Sequence, residues 1–454
     1  MVNLNKFRQG PQTKARVLAF FNIRPEEWQP LLWCMAYIFC LLCSYYILRP
    51  VRDTLGVEGG VHNLQWLFTA TLLCMLVLNI PFSALSRSVP RQRLIPLIYY
   101  FFVINLLIFA ALMYWLPAGE RVWAGRLFFV WVSVFNLYAV SVFWVLVSDL
   151  FSTERAGRLF ALMAAGATVG AIGGSFLTTL FARLLNISGL LLCSALLLLC
   201  AIFCVRRLIH HSCGLSRSAA TDTSVSRDND APALGGSIFA GITHTFRSPY
   251  LRNICLYMLL FSTTSTLLYF RQADLVRHAF NSEDARTTFF AATDLAVNIL
   301  TLLTQVFIAS RLLNRYGTAL VLCFLPVLTI IGFLSLSLWP TLLAVMLFSI
   351  FRRAGNFALA RPAREVLFTV LQREDKYKAK SFIDTAVYRA GDQVGAWSWA
   401  AMGAIGIPVA LMAWVAVPLS LLWWVNSLWL GRRQRVIADH HRRQPGDESA
   451  THAL

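Results

Sequence analysis

Twelve apolar runs, each about as long as a bilayer is thick, limit what this chain can become. They cover residues 30–48, 64–85, 94–116, 124–149, 159–182, 187–205, 253–270, 288–310, 317–337, 341–363, 382–403 and 406–430. A helix needs roughly 20 mostly apolar residues to cross the hydrocarbon core. Lipid offers the backbone no hydrogen bonds, so each run must satisfy its own N–H and C=O groups, and a helix does so. The fold class that follows is an all-α polytopic membrane protein with 12 transmembrane helices. Charge is correspondingly scarce: 14% of the residues are Asp, Glu, Lys or Arg, against about 25% in soluble domains.

The formal net charge is nevertheless +18. In a soluble protein that would suggest nucleic acid; in a membrane protein it reports orientation, because Lys and Arg collect in cytoplasmic loops. With the N-terminus inside, 28 of the 40 basic residues fall in cytoplasmic segments and seven in external loops. The seven are Arg49, Arg52, Arg121, Arg183, Arg271, Arg277 and Arg286. The asymmetry predicts a multi-pass membrane protein with both termini cytoplasmic; a bacterial inner membrane is the expected location. The bilayer is then the partner, nucleic acid is not, and a monomer is expected. Residues 1–29 are polar and basic and lack the short apolar core of a cleavable signal. Within them, 15–23 reads as a short interfacial helix.

Composition changes once along the chain. Residues 209–236 are rich in Ser, Thr, Asp and Gly and read as a disordered cytoplasmic linker. Residues 237–247 then read as a short helix on the membrane surface. The organisation is a cytoplasmic segment (1–29), a six-helix half (30–208), the linker (209–236), a second six-helix half (237–430) and a cytoplasmic tail (431–454). This two-half layout is major facilitator-like, with parallel repeats about an axis normal to the membrane. Span 5 carries Gly166-Ala167-Thr168-Val169-Gly170-Ala171 and span 11 carries Gly391-Asp392-Gln393-Val394-Gly395-Ala396, each after a short basic loop. Small residues one turn apart let helix backbones approach closely. Packing is the first role expected of Gly166, Gly170 and Gly174.

Nine ionisable residues fall inside spans, where each costs about 2.5–3.5 kcal/mol at the helix centre. They are Arg126 and Asp149 in span 4, Asp294 in span 8, Arg352, Arg353 and Arg361 in span 10, and Asp384, Arg389 and Asp392 in span 11. Arg389 and Asp392 stand three apart and have the option of pairing, and Arg361 and Glu365, four apart, have the same option. Arg352 and Arg353 are adjacent and point in different directions on a helix. Arg outnumbers Lys 35 to 5, and its planar fork suits phosphate and carboxylate. Together these residues predict a positive interior that meets an anionic solute. Pro362 is expected to free a backbone group and kink span 10. The aromatics Trp131, Phe143, Trp144, Tyr388, Trp397 and Trp399 read first as packing.

Catalytic and cofactor signals are missing. There is no P-loop, GxSxG, HExxH or zinc spacing, so no enzyme activity and no cofactor are expected. Without a site for ATP hydrolysis, transport would be secondary. Cys40 and Cys43 have CxxC spacing inside span 1 with no second pair, and they read as small apolar residues.

Several segments resemble the ATP/ADP translocase-type nucleotide transporters of plastids and intracellular bacteria. Residues 22–33 (Asn-Ile-Arg-Pro-Glu-Glu-Trp-Gln-Pro-Leu-Leu-Trp) are similar to that family's lead into its first helix. Ser44 to Leu55 is similar to its first-helix end, where a basic residue before Asp-Thr-Leu contacts substrate. Arg52 holds that place here, where the exchangers usually have Lys. Glu154 to Phe160 followed by Gly166-Ala167 resembles the family's fifth helix, and Arg361 to Glu365 with Lys378 to Asp384 its link between helices 10 and 11.

The resemblance implies a secondary transporter working by alternating access, with its solute bound midway between the halves. The expected solute is a small anion, phosphorylated as ATP or ADP is, held by Arg52, Arg126, Arg352, Arg353 and Arg389. Asp149, Asp294, Asp384 and Asp392 are the expected gating or proton-coupling residues. Two other readings fit the sequence: a proton-coupled carrier or exporter of a non-nucleotide organic anion, and a transport-inactive membrane receptor or assembly partner.

Overall fold

The computed structural model describes residues 28–88, 91–150, 153–222, 248–371, 379–380 and 382–443 of the 454-residue chain. Residues 1–27 with the expected interfacial helix, linker residues 223–236, the surface helix 237–247 and tail residues 444–454 lie outside these. Among the described residues there are twelve spanning helices and no strand. We number them α1 (Trp28–Glu58), α2 (Leu64–Ser88), α3 (Arg91–Trp115), α4 (Ala118–Leu150), α5 (153–185), α6 (187–222), α7 (Pro249–Ala279), α8 (Glu283–Thr304), α9 (Ser310–Leu338), α10 (Leu342–Gly355), α11 (Tyr388–Ala404) and α12 (Val409–Arg443).

The local chemistry explains where helices begin. Ser248 accepts from the Leu251 N–H with Pro249 in the first turn of α7. Ser282 accepts from Ala285 N at 3.3 Å, with Glu283 and Asp284 placed where the helix dipole favours anions. Thr341 accepts from Ala344 N at 3.2 Å and opens α10. Between α5 and α6 the helical path kinks with no loop, at Asn186 alone, at φ 52°.

Ten stretches of the described helices are long and apolar enough to cross a membrane. Residues 162–211 count once among them because α5 and α6 run on through Asn186. The helix α11 is not among them: Asp384, Arg389 and Asp392 all lie on it or on the turn leading into it. Three charges thus fall on or just before a helix of 17 residues. At its C-terminal end, α6 continues to Asp222, beyond the expected linker start at 209. Its extension holds one glycine, Gly214, and no proline to stop it.

Three helices carry five-residue π-helical turns: Gln305–Ala309 after α8, Asn356–Ala360 after α10, and Ile383–Val387 before α11. The second is followed by a short helix, Arg361–Leu367, with Pro362 in its first turn. The missing Pro362 N–H removes one i→i−4 bond, and the backbone widens there, as expected of span 10.

The chain packs as two compact units. The first contains α1 through Arg52 and everything from Cys74 to the end of α6; the second contains α7–α12 together with Asp53–Leu73. In the first unit α5 lies on α1: a Cβ on Gly170 would sit 2.5 Å from Phe39 O, and those on Gly166 and Gly174 would meet Met35 and Cys43. In the second, α11 lies on α7 in the same way, Gly391 against Leu259 and Gly395 against Thr263. The glycine echo therefore corresponds to the same seam built twice, helix 5 on helix 1 and helix 11 on helix 7. The expected aromatic packing is present too, with Trp131 stacked on Phe128 and Phe135 and edge-on to Phe102.

Candidate functional site

The charged residues of the second unit sort into three groups once their partners are known. Arg352 is enclosed by protein at 2% exposure. Its Nε donates to Thr329 Oγ1 at 3.2 Å, and its Nη2 donates to Phe261 O at 3.0 Å and Thr264 Oγ1 at 2.9 Å. The guanidinium also lies over the Phe261 and Trp423 rings. It ties α10 to α7 and α9 through neutral acceptors and meets α12 through the Trp423 ring.

One residue on, Arg353 turns the other way, as adjacent positions on a helix must. Its Nη1 lies 2.7 Å from Asp294 Oδ1 on α8, with the Asp294 side chain 3% exposed. Its Nη2 is buried with no hydrogen bond among the described residues.

On α11, Asp392 is held twice on one oxygen, by Ser262 Oγ at 2.5 Å and Thr266 Oγ1 at 3.1 Å, both from α7. Its other oxygen takes Arg389 Nη1 at 3.3 Å. Arg389 keeps 35% of its side chain exposed. The expected option of an Arg389–Asp392 pair is therefore realised, in a long contact to an aspartate that two hydroxyls already satisfy.

The third group ties the C-terminal end of span 10 to the start of span 11. Arg364 Nη2 lies 3.3 Å from Asp384 Oδ1, and Lys380 Nζ lies 2.5 Å from Glu365 Oε2. The optional Arg361–Glu365 pairing is replaced, since Glu365 takes Lys380 and Arg361 stays exposed. Lys376 and Lys378 of this link fall outside the described residues.

In the first unit, Arg52 is half-buried with its guanidinium 5.1 Å from the Phe129 ring of α4. Arg126, one turn before Phe129, lies 4.4 Å over the Trp123 ring. Arg52 thus comes to the same stretch of α4 that carries Arg126. The Asp149 side chain lies outside the described residues.

Sequence reasoning missed the acceptors and donors around these charges. The hydroxyl run Ser262-Thr263-Thr264-Ser265-Thr266 in the middle of α7 was the available signal, and it supplies partners to both Arg352 and Asp392. Also unforeseen is the second unit's segment Asp53–Leu73, from the end of α1 and the start of α2. Tyr269 OH donates to Asp53 Oδ1 at 3.1 Å, and the Thr54 and Thr287 hydroxyls are 2.9 Å apart. Thr69 Oγ1 donates to Gln393 Oε1 at 2.9 Å and accepts from Trp397 Nε1 at 3.2 Å.

Residues 33–371 match the Major Facilitator Superfamily model. The Plastidic ATP/ADP-transporter of Solanum tuberosum is 20% identical over 80% of this chain, and the match spans 65% of that protein. ADP,ATP carrier protein 1 of Chlamydia trachomatis serovar D is 22% identical, with 90% of each chain covered. Among solved structures, a bacterial homologue of the iron transporter ferroportin in an inward-facing state superposes with TM-score 0.63 at 12% identity, covering 89% of this chain and 98% of that one. A D-xylose-proton symporter gives 0.59 at 13% identity, covering 87% and 96%. These structural likenesses carry the fold. The family match over residues 33–371, consistent with the twelve helices and the repeated glycine seam, leads to one conclusion: the chain belongs to the major facilitator superfamily.

Proposed function

We propose that this secondary transporter moves a phosphorylated anion of nucleotide type, by exchange for another anion or together with protons. The observation that carries the reading is Arg389. It is part-exposed, its contact to Asp392 is long, and Asp392 keeps two hydroxyl donors when the arginine leaves. Releasing Arg389 to an incoming phosphate therefore strands no buried carboxylate, whereas releasing Arg352 would strip neutral acceptors of their donor. Arg353, with one buried nitrogen still unbonded, and Arg52 and Arg126 of the first unit supply the remaining positive charge. Asp294 and Asp392 are the acids that exchange partners during the cycle. The relatives at 20–22% identity are nucleotide carriers by name, which supports the choice of solute.

Energetics sets the coupling. Each elementary charge moved across 100 mV is worth about 2.3 kcal/mol, so uptake of a polyanion against an inside-negative potential needs counter-exchange or protons. The proposed setting is a bacterial inner membrane with both termini cytoplasmic.

The test uses proteoliposomes loaded with ADP or left empty. Labelled ATP or ADP enters loaded vesicles faster, and Arg389→Ala or Arg52→Glu abolishes the difference. No uptake and no binding of any phosphorylated solute sinks the proposal. Uptake that follows a pH gradient but ignores internal anion assigns the chain to a proton-coupled organic-anion carrier instead.

A further inference from the structure

We infer that the cytoplasmic ends of α9 and α12 form a binding site for the phosphate headgroup of an anionic phospholipid. The two helices are packed backbone to backbone there, with Gly431 against Ala319. Just before that contact the helix kinks at Gly317, at φ 73°, a conformation that glycine adopts without steric cost. Arg435 reaches across from α12, and its Nη2 donates to Tyr316 O at 3.2 Å. The kink and the arginine are fitted together, since a Cβ on Gly317 would meet the Arg435 guanidinium.

Four exposed arginines flank this junction along the chain. Arg311 and Arg315 are four apart on the helical turn that leads into Gly317, and Arg432 and Arg435 are three apart on one side of α12. Among the described residues none of the four forms an ion pair, even though Asp439 stands one turn beyond Arg435. The α10–α11 link on the same face is different: there Arg364 has Asp384 and Lys380 has Glu365. Like charges held this close repel one another until an anion arrives.

The surroundings choose the source of that anion. Tyr316, Leu320 and Val436, 47%, 55% and 57% exposed, lie beside the arginines in sequence and continue along the helices. A soluble phosphate has no use for them, whereas an acyl chain covers them. In the first unit, exposed Arg206 of α6 lies over the Tyr100 ring of α3, another arginine beside an exposed aromatic. The inference concerns a surface apart from the residues proposed to handle the transported solute.

The experiment uses the full-length protein, delipidated in mild detergent. Native mass spectrometry counts bound phosphatidylglycerol or phosphatidylcholine of the same acyl chains, with inorganic phosphate as a third arm. The wild type retains phosphatidylglycerol in preference to phosphatidylcholine. At about 1 kcal/mol for each arginine near an anionic surface, the triple variant Arg311→Gln, Arg315→Gln, Arg432→Gln binds phosphatidylglycerol roughly a hundredfold more weakly. Arg435 is left intact because it braces the kink. If the triple variant does not fold, Arg432→Gln alone gives a loss of about fivefold. Equal retention of the two lipids, or unchanged phosphatidylglycerol affinity in the variants, overturns the inference. Displacement of the lipid by millimolar inorganic phosphate assigns the arginines to a soluble anion and overturns it as well.

Discussion

Arg353 Nη1 lies 2.7 Å from Asp294 Oδ1, joining α10 to α8 by an ion pair whose carboxylate is almost fully enclosed. Removing one partner leaves the other charge buried and unmatched, at a cost of about 3–5 kcal/mol; removing both is close to neutral when apolar residues fill the space. Arg353→Met is therefore expected to lower the thermal midpoint sharply, and Arg353→Met with Asp294→Leu to recover most of it. Exchange activity is expected to stay lost in the double variant. A double variant that both folds and exchanges at the wild-type rate would show that the pair serves structure alone, and would remove both residues from the transport cycle.

Arg352 separates the two roles an intramembrane arginine can have. Its three hydrogen bonds run to α9 and α7 in different directions, and a lysine, as a point charge, cannot reproduce that spread. Arg352→Lys is expected to destabilise by about 1.5–3 kcal/mol, with exchange per folded molecule unchanged. Arg389→Lys is expected to do the reverse, melting like the wild type and exchanging more slowly. Melting curves and uptake normalised to folded protein decide the matter, and an Arg352→Lys protein that melts like the wild type defeats the assignment.

The division between these two arginines shows where sequence reading reaches and where it stops. That Arg352 and Arg353 point apart follows from 3.6 residues per turn. That one meets hydroxyls and the other a carboxylate depends on α7, α8 and α9, whose register against α10 no local pattern encodes. The Pro362 break and the glycine seams were legible because each is a local steric rule, whereas α1, α6 and α12 run on past the ends of their apolar stretches. The Glu365–Lys380 pair was not legible, because the four carboxylates and six cations between Arg361 and Asp384 allow many pairings. The segment Asp53–Leu73 was read with the first half by sequence order, yet its hydrogen bonds lie within the second unit. Its polar residues Asp53, Thr54 and Thr69 are individually unremarkable until their partners are known.

The two glycine seams make a prediction with an internal control. A Cβ at Gly170 would stand 2.5 Å from Phe39 O, and one at Gly395 would stand 2.8 Å from Thr263 O. Backbone carbonyls cannot swing aside as side chains do, so Gly170→Ala and Gly395→Ala each force helices apart and are expected to cost about 1–3 kcal/mol. At Gly173 the nearest atoms are the Phe39 ring at 3.7 Å, an ordinary contact. Gly173→Ala is expected to melt within about 0.5 kcal/mol of the wild type. Three equal melting points would mean that the seams are looser than the backbone separations indicate.

If the transporter alternates between states, the hydrogen bonds that hold Asp53–Leu73 in the second unit must break in each cycle. The Thr54 and Thr287 hydroxyls, 2.9 Å apart, offer a place to prevent this. Cysteines at both positions bring two sulfur atoms within bridging range, and a disulfide replaces a bond worth about 1 kcal/mol with one that does not open. Oxidised Thr54→Cys, Thr287→Cys protein is expected to bind its solute but to stop exchanging, and a reductant is expected to restore the rate. Each single variant, treated with the same oxidant, controls for the native free cysteines such as Cys40 and Cys200. Gel mobility after proteolysis between the two positions confirms the cross-link. Undiminished exchange in fully cross-linked protein would show that this segment stays put, and that any alternation of access takes place elsewhere in the second unit.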